Sequence, residues 1–262
     1  MAFLTEPPYS APRRPLHTIP VEMHPIAAIL AIALWCLTPG TVAAGRADDA
    51  TPLRIVLVGD STMCEYPVDR PDRGWGQYLQ GSFDDTVRVV NLAKGGRSTK
   101  TFRAEGLWAK ALAEKPAFVL IQFGHNDSHA PDRPESTDAK TDFPMNLRRY
   151  VEEARAIGAT PILLTPVVRR IFGPDGRLVG ELRPYAEATR QVAEDMRVPL
   201  IDVQASSRAL VESLGPEGSA AMANAPGDRT HFNEQGAKAM AALVMKELPA
   251  AAPALQRHLI AR

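Results

Sequence analysis

Five short runs of apolar, mostly β-branched or leucine residues recur along this chain. They are Arg54–Gly59, Val87–Leu92, Ala117–Phe123, Pro161–Thr165 and Pro199–Asp202. Runs this short and this apolar suit strands covered on both faces. Between them lie segments with helical spacing: Trp75, Tyr78 and Leu79; Leu107, Ala111 and Leu112; Leu147, Tyr150, Val151 and Ala154. Tyr185–Met196 and Glu234–Leu248 extend the pattern. Parallel neighbours need crossovers of about a dozen residues or more, and these gaps supply them. The alternation predicts an α/β fold, a parallel sheet with helices on both faces. Residues 45–262 are expected to make one domain with no internal linker.

The first run stops at a small polar turn. Ile55-Val56-Leu57-Val58 is followed by Gly59-Asp60-Ser61-Thr62. In open parallel sheets the carboxyl edge of the strands is where ligands bind. Ser61 delivered to that edge is a candidate nucleophile, provided that a base and an oxyanion site join it. Alone, Gly-Asp-Ser is also ordinary turn chemistry.

Three later stretches supply the missing groups. Asn91-Leu92-Ala93-Lys94-Gly95-Gly96-Arg97-Ser98 follows the second run, and its paired glycines let backbone N–H groups approach a ligand. Gly124-His125-Asn126-Asp127 follows the third, where the Asn126 amide can donate to a developing oxyanion. Asp228-Arg229-Thr230-His231-Phe232-Asn233 precedes the last helix. An aspartate three residues before a histidine can fix the imidazole's tautomer while the ring takes a serine proton. His17, His24, His129 and His258 are expected to be surface or core residues without a part in the chemistry.

These four blocks, in this order, resemble the SGNH (GDSL-type) hydrolase superfamily. Gly74-Trp75-Gly76, Gln122-Phe123-Gly124 and Thr165-Pro166-Val167-Val168-Arg169-Arg170 make the chain similar to the rhamnogalacturonan acetylesterase group within it. The resemblance covers roughly residues 53–248. It implies a three-layer α/β/α sandwich with a five-stranded, flavodoxin-like parallel sheet. It implies Ser61 as nucleophile, His231 as general base and then acid, and Asp228 as the residue that orients His231. The oxyanion donors would be the backbone N–H groups of Ser61 and Gly96 and the Asn126 side chain, with Gly95 the less suitable backbone donor. The implied chemistry is acyl transfer to serine and then to water, with no metal or organic cofactor. The implied substrate is an acetylated carbohydrate of pectin type. Arg97, Arg169 and Arg170 are candidates to face its carboxylates.

Composition narrows the alternatives. Lys plus Arg is 30 and Asp plus Glu is 30, a net charge of zero, so no basic excess is there to hold nucleic acid. Two cysteines, Cys36 and Cys64, cannot build a disulfide framework or a zinc site. Cys64 reads as a small packing group. Residues 1–44 read as a signal peptide or N-terminal extension: Ile26–Leu37 is almost wholly apolar and Val42-Ala43-Ala44 offers small residues for cleavage. The apolar run is shorter than the roughly 20 residues a membrane-spanning helix needs. A secreted or periplasmic protein cut near Ala44, with no stable membrane insertion afterwards, is the expectation. The polar loops at 128–141, 165–184 and 215–230 argue against a lipase groove. The alternatives are a short-chain esterase or thioesterase acting on lipid or small acyl compounds, and a carbohydrate-binding protein that has lost activity.

Overall fold

A computed structural model describes residues 51–260. The expected signal segment and its cleavage point near Ala44 lie outside the described residues. Five parallel strands, β1 (Leu53–Gly59), β2 (Val87–Asn91), β3 (Phe118–Gln122), β4 (Thr160–Leu164) and β5 (Leu200–Ile201), form one sheet in the order β2-β1-β3-β4-β5. That is the flavodoxin-like order, with its switch point between β1 and β3. The register pairs Leu57 with Asn91 on one side and with Leu120 on the other. The expected fold class is therefore found, with β5 shorter than its sequence run.

Alternate residues of each strand feed opposite layers, as the period of two requires. Ile55, Leu57, Leu120, Ile162 and Leu164 pack against α6 (Glu234–Ala251) and the segment around Trp75. Val56, Val58, Val119, Ile121 and Leu163 pack against residues of α2 (Leu107–Ala113), α3 (Asp142–Ala156) and α4 (Arg183–Met196). All ten strand residues are buried, so each face carries its own core. Among the described residues no helix is long and apolar enough to cross a membrane.

Two expectations are corrected, the Trp75 helix and the start of the 215–230 loop, and two helices are found where none was expected. The Trp75 segment is not an α-helix but two short 3₁₀ turns, Trp75–Tyr78 and Gln80–Ser82, because it is tied to the chain around Thr62 and Met63 by Trp75 N–H to Thr62 O (2.9 Å) and Gly76 N–H to Met63 O (3.2 Å). A short helix, α1 (Thr99–Ala104), follows the double-glycine turn and is capped by Ser98, which accepts from Thr101 N. The stretch after β5 is helical: α5 runs Val203–Ala220, bending at Gly215, whose φ of 67° breaks the regular backbone. The 215–230 loop thus begins later than expected. The turn at Gly173–Gly176 does close a small hairpin, with Phe172 bridging Leu178.

Candidate active site

The four blocks meet at the carboxyl edge of the sheet. Ser61 stands in the first turn after β1, where the Asp60 carbonyl accepts from Met63 N (3.2 Å) and Cys64 N (3.0 Å). Asp60 Oδ1 accepts from the Thr62 N–H (2.9 Å) and hydroxyl (2.8 Å), which stiffens the turn from beneath. The Gly74-Trp75-Gly76 block presses on this turn. A Cβ on Gly74 would stand 2.1 Å from the Cys64 carbonyl oxygen, so only glycine fits there. Trp75 is fully buried and donates to Gln122 Oε1 (2.8 Å), whose amide in turn donates to Thr165 O (3.0 Å). One polar chain thereby links the ends of β1, β3 and β4.

The second block is fastened to the same edge by Lys94 N–H to Gly59 O (2.9 Å) and by Asn91 Nδ2 to Met63 O (2.9 Å). Gly96 turns with a φ of 78°, a left-handed conformation that favours glycine. Neither the Ser61 nor the Gly96 backbone N–H has an internal acceptor among the described residues, so both are free to donate. The third block is knotted to the second. Asn126 Nδ2 donates to Arg97 O (2.9 Å), and buried Asp127 accepts from Thr99 N (3.1 Å) and the Thr137 hydroxyl (2.8 Å). Burial pushes the Asp127 carboxyl up to about 6 against the pull of those hydrogen bonds.

The fourth block brings the base. His231 Nε2 lies 3.1 Å from Ser61 Oγ, and His231 Nδ1 lies 2.9 Å from Asp228 Oδ2. Asp228 Oδ1 accepts from the backbone N–H groups of Thr230 (2.7 Å) and His231 (2.8 Å). Partial burial works to raise the Asp228 carboxyl, but the hydrogen bonds from His231 and Thr230 outweigh it and hold it below the usual range. With Asp228 charged and accepting, the proton on His231 is directed to Nδ1, and Nε2 is left to accept from the serine hydroxyl. Serine, base and orienting carboxylate are thus in hydrogen-bonding sequence, as nucleophilic acyl transfer requires.

The arginines divide. Arg169 lines the cleft with Ser61, Gly96, Asn126 and His231, and it is held there by Glu181 (3.1 Å) and the His125 carbonyl (3.0 Å). Arg97 is engaged by Glu105 (2.9 Å) and the Gly95 carbonyl (2.8 Å). Arg170 does not face a substrate at all: it is 1% exposed and lies under the fourth block. Its guanidinium donates to the carbonyls of Asp228 (3.1 Å) and His231 (2.8 Å) and stands 4.8 Å over the Phe232 ring. The expectation fails for Arg170 because its partners are backbone carbonyls of a loop some sixty positions along the chain, which composition does not reveal.

Two cleft residues were not anticipated as such. Tyr66 donates to Ser61 O (3.0 Å), and His129 pairs with Glu135 (2.6 Å), which pulls the Glu135 carboxyl down to about 2. Their sequence signal is position alone, five residues after Ser61 and three after Asn126. Cys64 is buried beside Ser61, and burial pushes its thiol up, which leaves it a packing group. Among the described residues no cluster of His, Cys, Asp and Glu is arranged to hold a metal ion.

Residues 57–239 match the model of the GDSL-like lipase/acylhydrolase family, well over half the chain. The chain belongs to that family. As a GDSL-like acylhydrolase it is a carboxylic ester hydrolase, and the Ser61–His231–Asp228 arrangement is what such chemistry needs. It is 37% identical over 227 residues to the rhamnogalacturonan acetylesterase RhgT of Bacillus subtilis, covering 80% of this chain and 96% of that one. It is 36% identical over 198 residues to the probable rhamnogalacturonan acetylesterase YesY of the same organism, covering 73% and 90%. Among solved structures it resembles the YxiM protein of Bacillus subtilis with a TM-score of 0.68 and 32% identity, covering 76% of this chain and 57% of that chain. The chain thus spans somewhat over half of that solved relative. The fold is shared with that solved relative.

Proposed function

We propose that this GDSL-like hydrolase removes acetyl groups from a carbohydrate, of rhamnogalacturonan or related pectin type, through an acetyl-enzyme on Ser61, and that it acts after export from the cell. The observation that carries the reading is the unbroken sequence of contacts from Asp228 to His231 (2.9 Å) to Ser61 (3.1 Å), beside two uncommitted backbone N–H groups and the Asn126 amide. The acetyl and carbohydrate assignments rest on the two acetylesterase relatives.

In this mechanism Ser61 Oγ attacks the ester carbonyl as His231 Nε2 takes its proton. The carbonyl oxygen becomes an oxyanion and receives hydrogen bonds from Ser61 N, Gly96 N and Asn126 Nδ2. His231 then returns the proton to the sugar oxygen, which leaves as an alcohol, and the acetyl group stays on Ser61. Water, deprotonated by the same His231, attacks the acetyl-serine, and acetate departs with Ser61 reprotonated. Asp228 stays ionised and keeps the ring in its tautomer throughout. Arg169, at the rim of the cleft, is the cation suited to a uronate carboxylate near the acetylated sugar.

Acetate release from acetylated rhamnogalacturonan, xylan and a chromogenic ester series tests the reading. It predicts release from the carbohydrates and preference for two-carbon over eight-carbon acyl chains. A preference for eight carbons or longer, with no acetate from any carbohydrate, would replace it with a lipid or small-acyl esterase. N-terminal sequencing of the exported protein tests the location: a secreted chain still carrying residues 26–37 contradicts cleavage near Ala44.

A further inference from the structure

The cleft at Ser61, of about 380 Å³, is the first of three cavities that follow one another. The second, of about 410 Å³, shares His129 with it and lies over the 131–142 loop beside Tyr185. The third, of about 450 Å³, shares Ala139 and Pro184 with the second and lies between α3 and α4. Each is the size of a small-molecule site. We propose that the three form a single groove in which the sugar residues flanking the acetylated one lie. This rests on the carbohydrate acetylesterase reading and extends it from the scissile ester to the length of chain the enzyme holds.

The lining fits sugar rings better than an acyl chain. Pro131, Pro144 and Pro184 offer small flat apolar faces, suited to the C–H face of a pyranose. Between them stand Asp138, Asp142, Lys140, Arg148 and Gln191, groups that hydroxyls can satisfy and a hydrocarbon cannot. The walls are also firmly set. Tyr185 donates to Asp127 O (3.0 Å) and Thr137 O (2.7 Å), tying α4 to the loop that bears Asn126. A chain bound in the far cavities therefore rests on the same fixed segment that carries the oxyanion donor. Binding energy from remote sugars is then available at the reacting carbonyl, so longer substrates gain in kcat as well as in KM.

The test is a series of acetylated oligosaccharides, from the monosaccharide to the octasaccharide, on wild type and on Ala139→Trp, which fills the junction of the two far cavities. Gln191→Trp, at an exposed position of the third cavity, is a second block that spares the fold. For wild type, kcat/KM should rise about tenfold or more with length and then level off. With Ala139→Trp the ratio of long-chain to monosaccharide kcat/KM, measured on one preparation, should fall to near unity, and with Gln191→Trp the rise should stop at the shorter length that fills the second cavity. A wild-type enzyme indifferent to length, or variants that keep the full rise, would overturn the groove while leaving the acetylesterase reading intact. If no acetylated sugar of any length is hydrolysed, both fall together.

Discussion

The guanidinium of Arg170 donates to the carbonyl oxygen of His231 at 2.8 Å, from a position that is 1% exposed. A second donor reaches the Asp228 carbonyl at 3.1 Å, and Arg170 N–H donates to Arg229 O at 2.8 Å. One buried side chain thus holds both ends of the Asp228–His231 loop. Burial pulls its pKa down to about 10 while the Asp228 carboxylate opposes the shift, so the charge is kept at neutral pH. Arg170→Met would strip the Asp228 and His231 carbonyls of the guanidinium's donors, at a cost of about 1–3 kcal/mol in stability. Small misplacements of a catalytic group are expensive, so kcat on a chromogenic acetate should drop about 10²-fold with KM moved much less. Arg170→Lys, which keeps the charge and one donor, should recover part of that loss. Thermal unfolding and steady-state kinetics on the same preparations check both statements.

Asn126 tests the oxyanion site. Asn126→Ala should lower kcat about 10²–10³-fold with little change in KM, because its donation strengthens only as the carbonyl oxygen becomes charged. Its second bond, to Arg97 O, is lost as well, so the fold must be checked by the melting temperature. A variant with wild-type kcat would remove Asn126 from the site.

Asp228→Asn separates orientation from architecture. The amide oxygen can still accept from Thr230 N and His231 N, so the loop should keep its shape. The amide nitrogen would instead donate toward His231 Nδ1, which forces the proton onto Nε2 and away from its catalytic tautomer. A loss of about 10⁴-fold in kcat with near-normal stability is expected.

His125 carries a pH prediction. It is buried, between the Val167 backbone and the Asp60 carboxylate. Burial depresses its pKa to about 4, with the Asp60 carboxylate working the other way. The unfolded chain protonates this histidine near its ordinary value of about 6.5, and the folded protein does not. Between these two values the unfolded state binds the extra proton, so folding stability falls as pH drops from about 6.5 toward 4. The full effect is about 3 kcal/mol. Asp127 acts oppositely: its raised pKa means that stability is lost as pH climbs through about 6. The difference in unfolding free energy between wild type and His125→Phe, measured by urea titration at several pH values, isolates the first contribution. It should change in the variant's favour as pH falls through that window, and a pH-independent difference would contradict it.

The parts of this molecule that were legible in its sequence are those governed by local chemistry. The runs ending in Gly59, Leu92 and Phe123 announce strands by composition, and the polar turn after each announces a sheet edge. The Asp228–His231 spacing anticipates a contact within one turn, and the structure has it. What escaped was decided by distant partners. The helical stretch after β5 was hidden by Gly215 and Pro216, which read as loop punctuation but mark a bend inside α5. Arg170 read as a cation for substrate carboxylates, while its acceptors are carbonyls from the fourth block, far along the chain. His129 seemed uninvolved because its neighbours are loop residues, although that loop forms the wall of the cleft.

The account stands most directly on Ser61. During turnover of an acetate ester, acid quenching and peptide mass analysis should find acetyl on the peptide that contains Ser61. Ser61→Ala should carry none there and should lose about 10⁴-fold or more in kcat. Acetyl trapped on another residue, or turnover by Ser61→Ala within about tenfold of wild type, would contradict it.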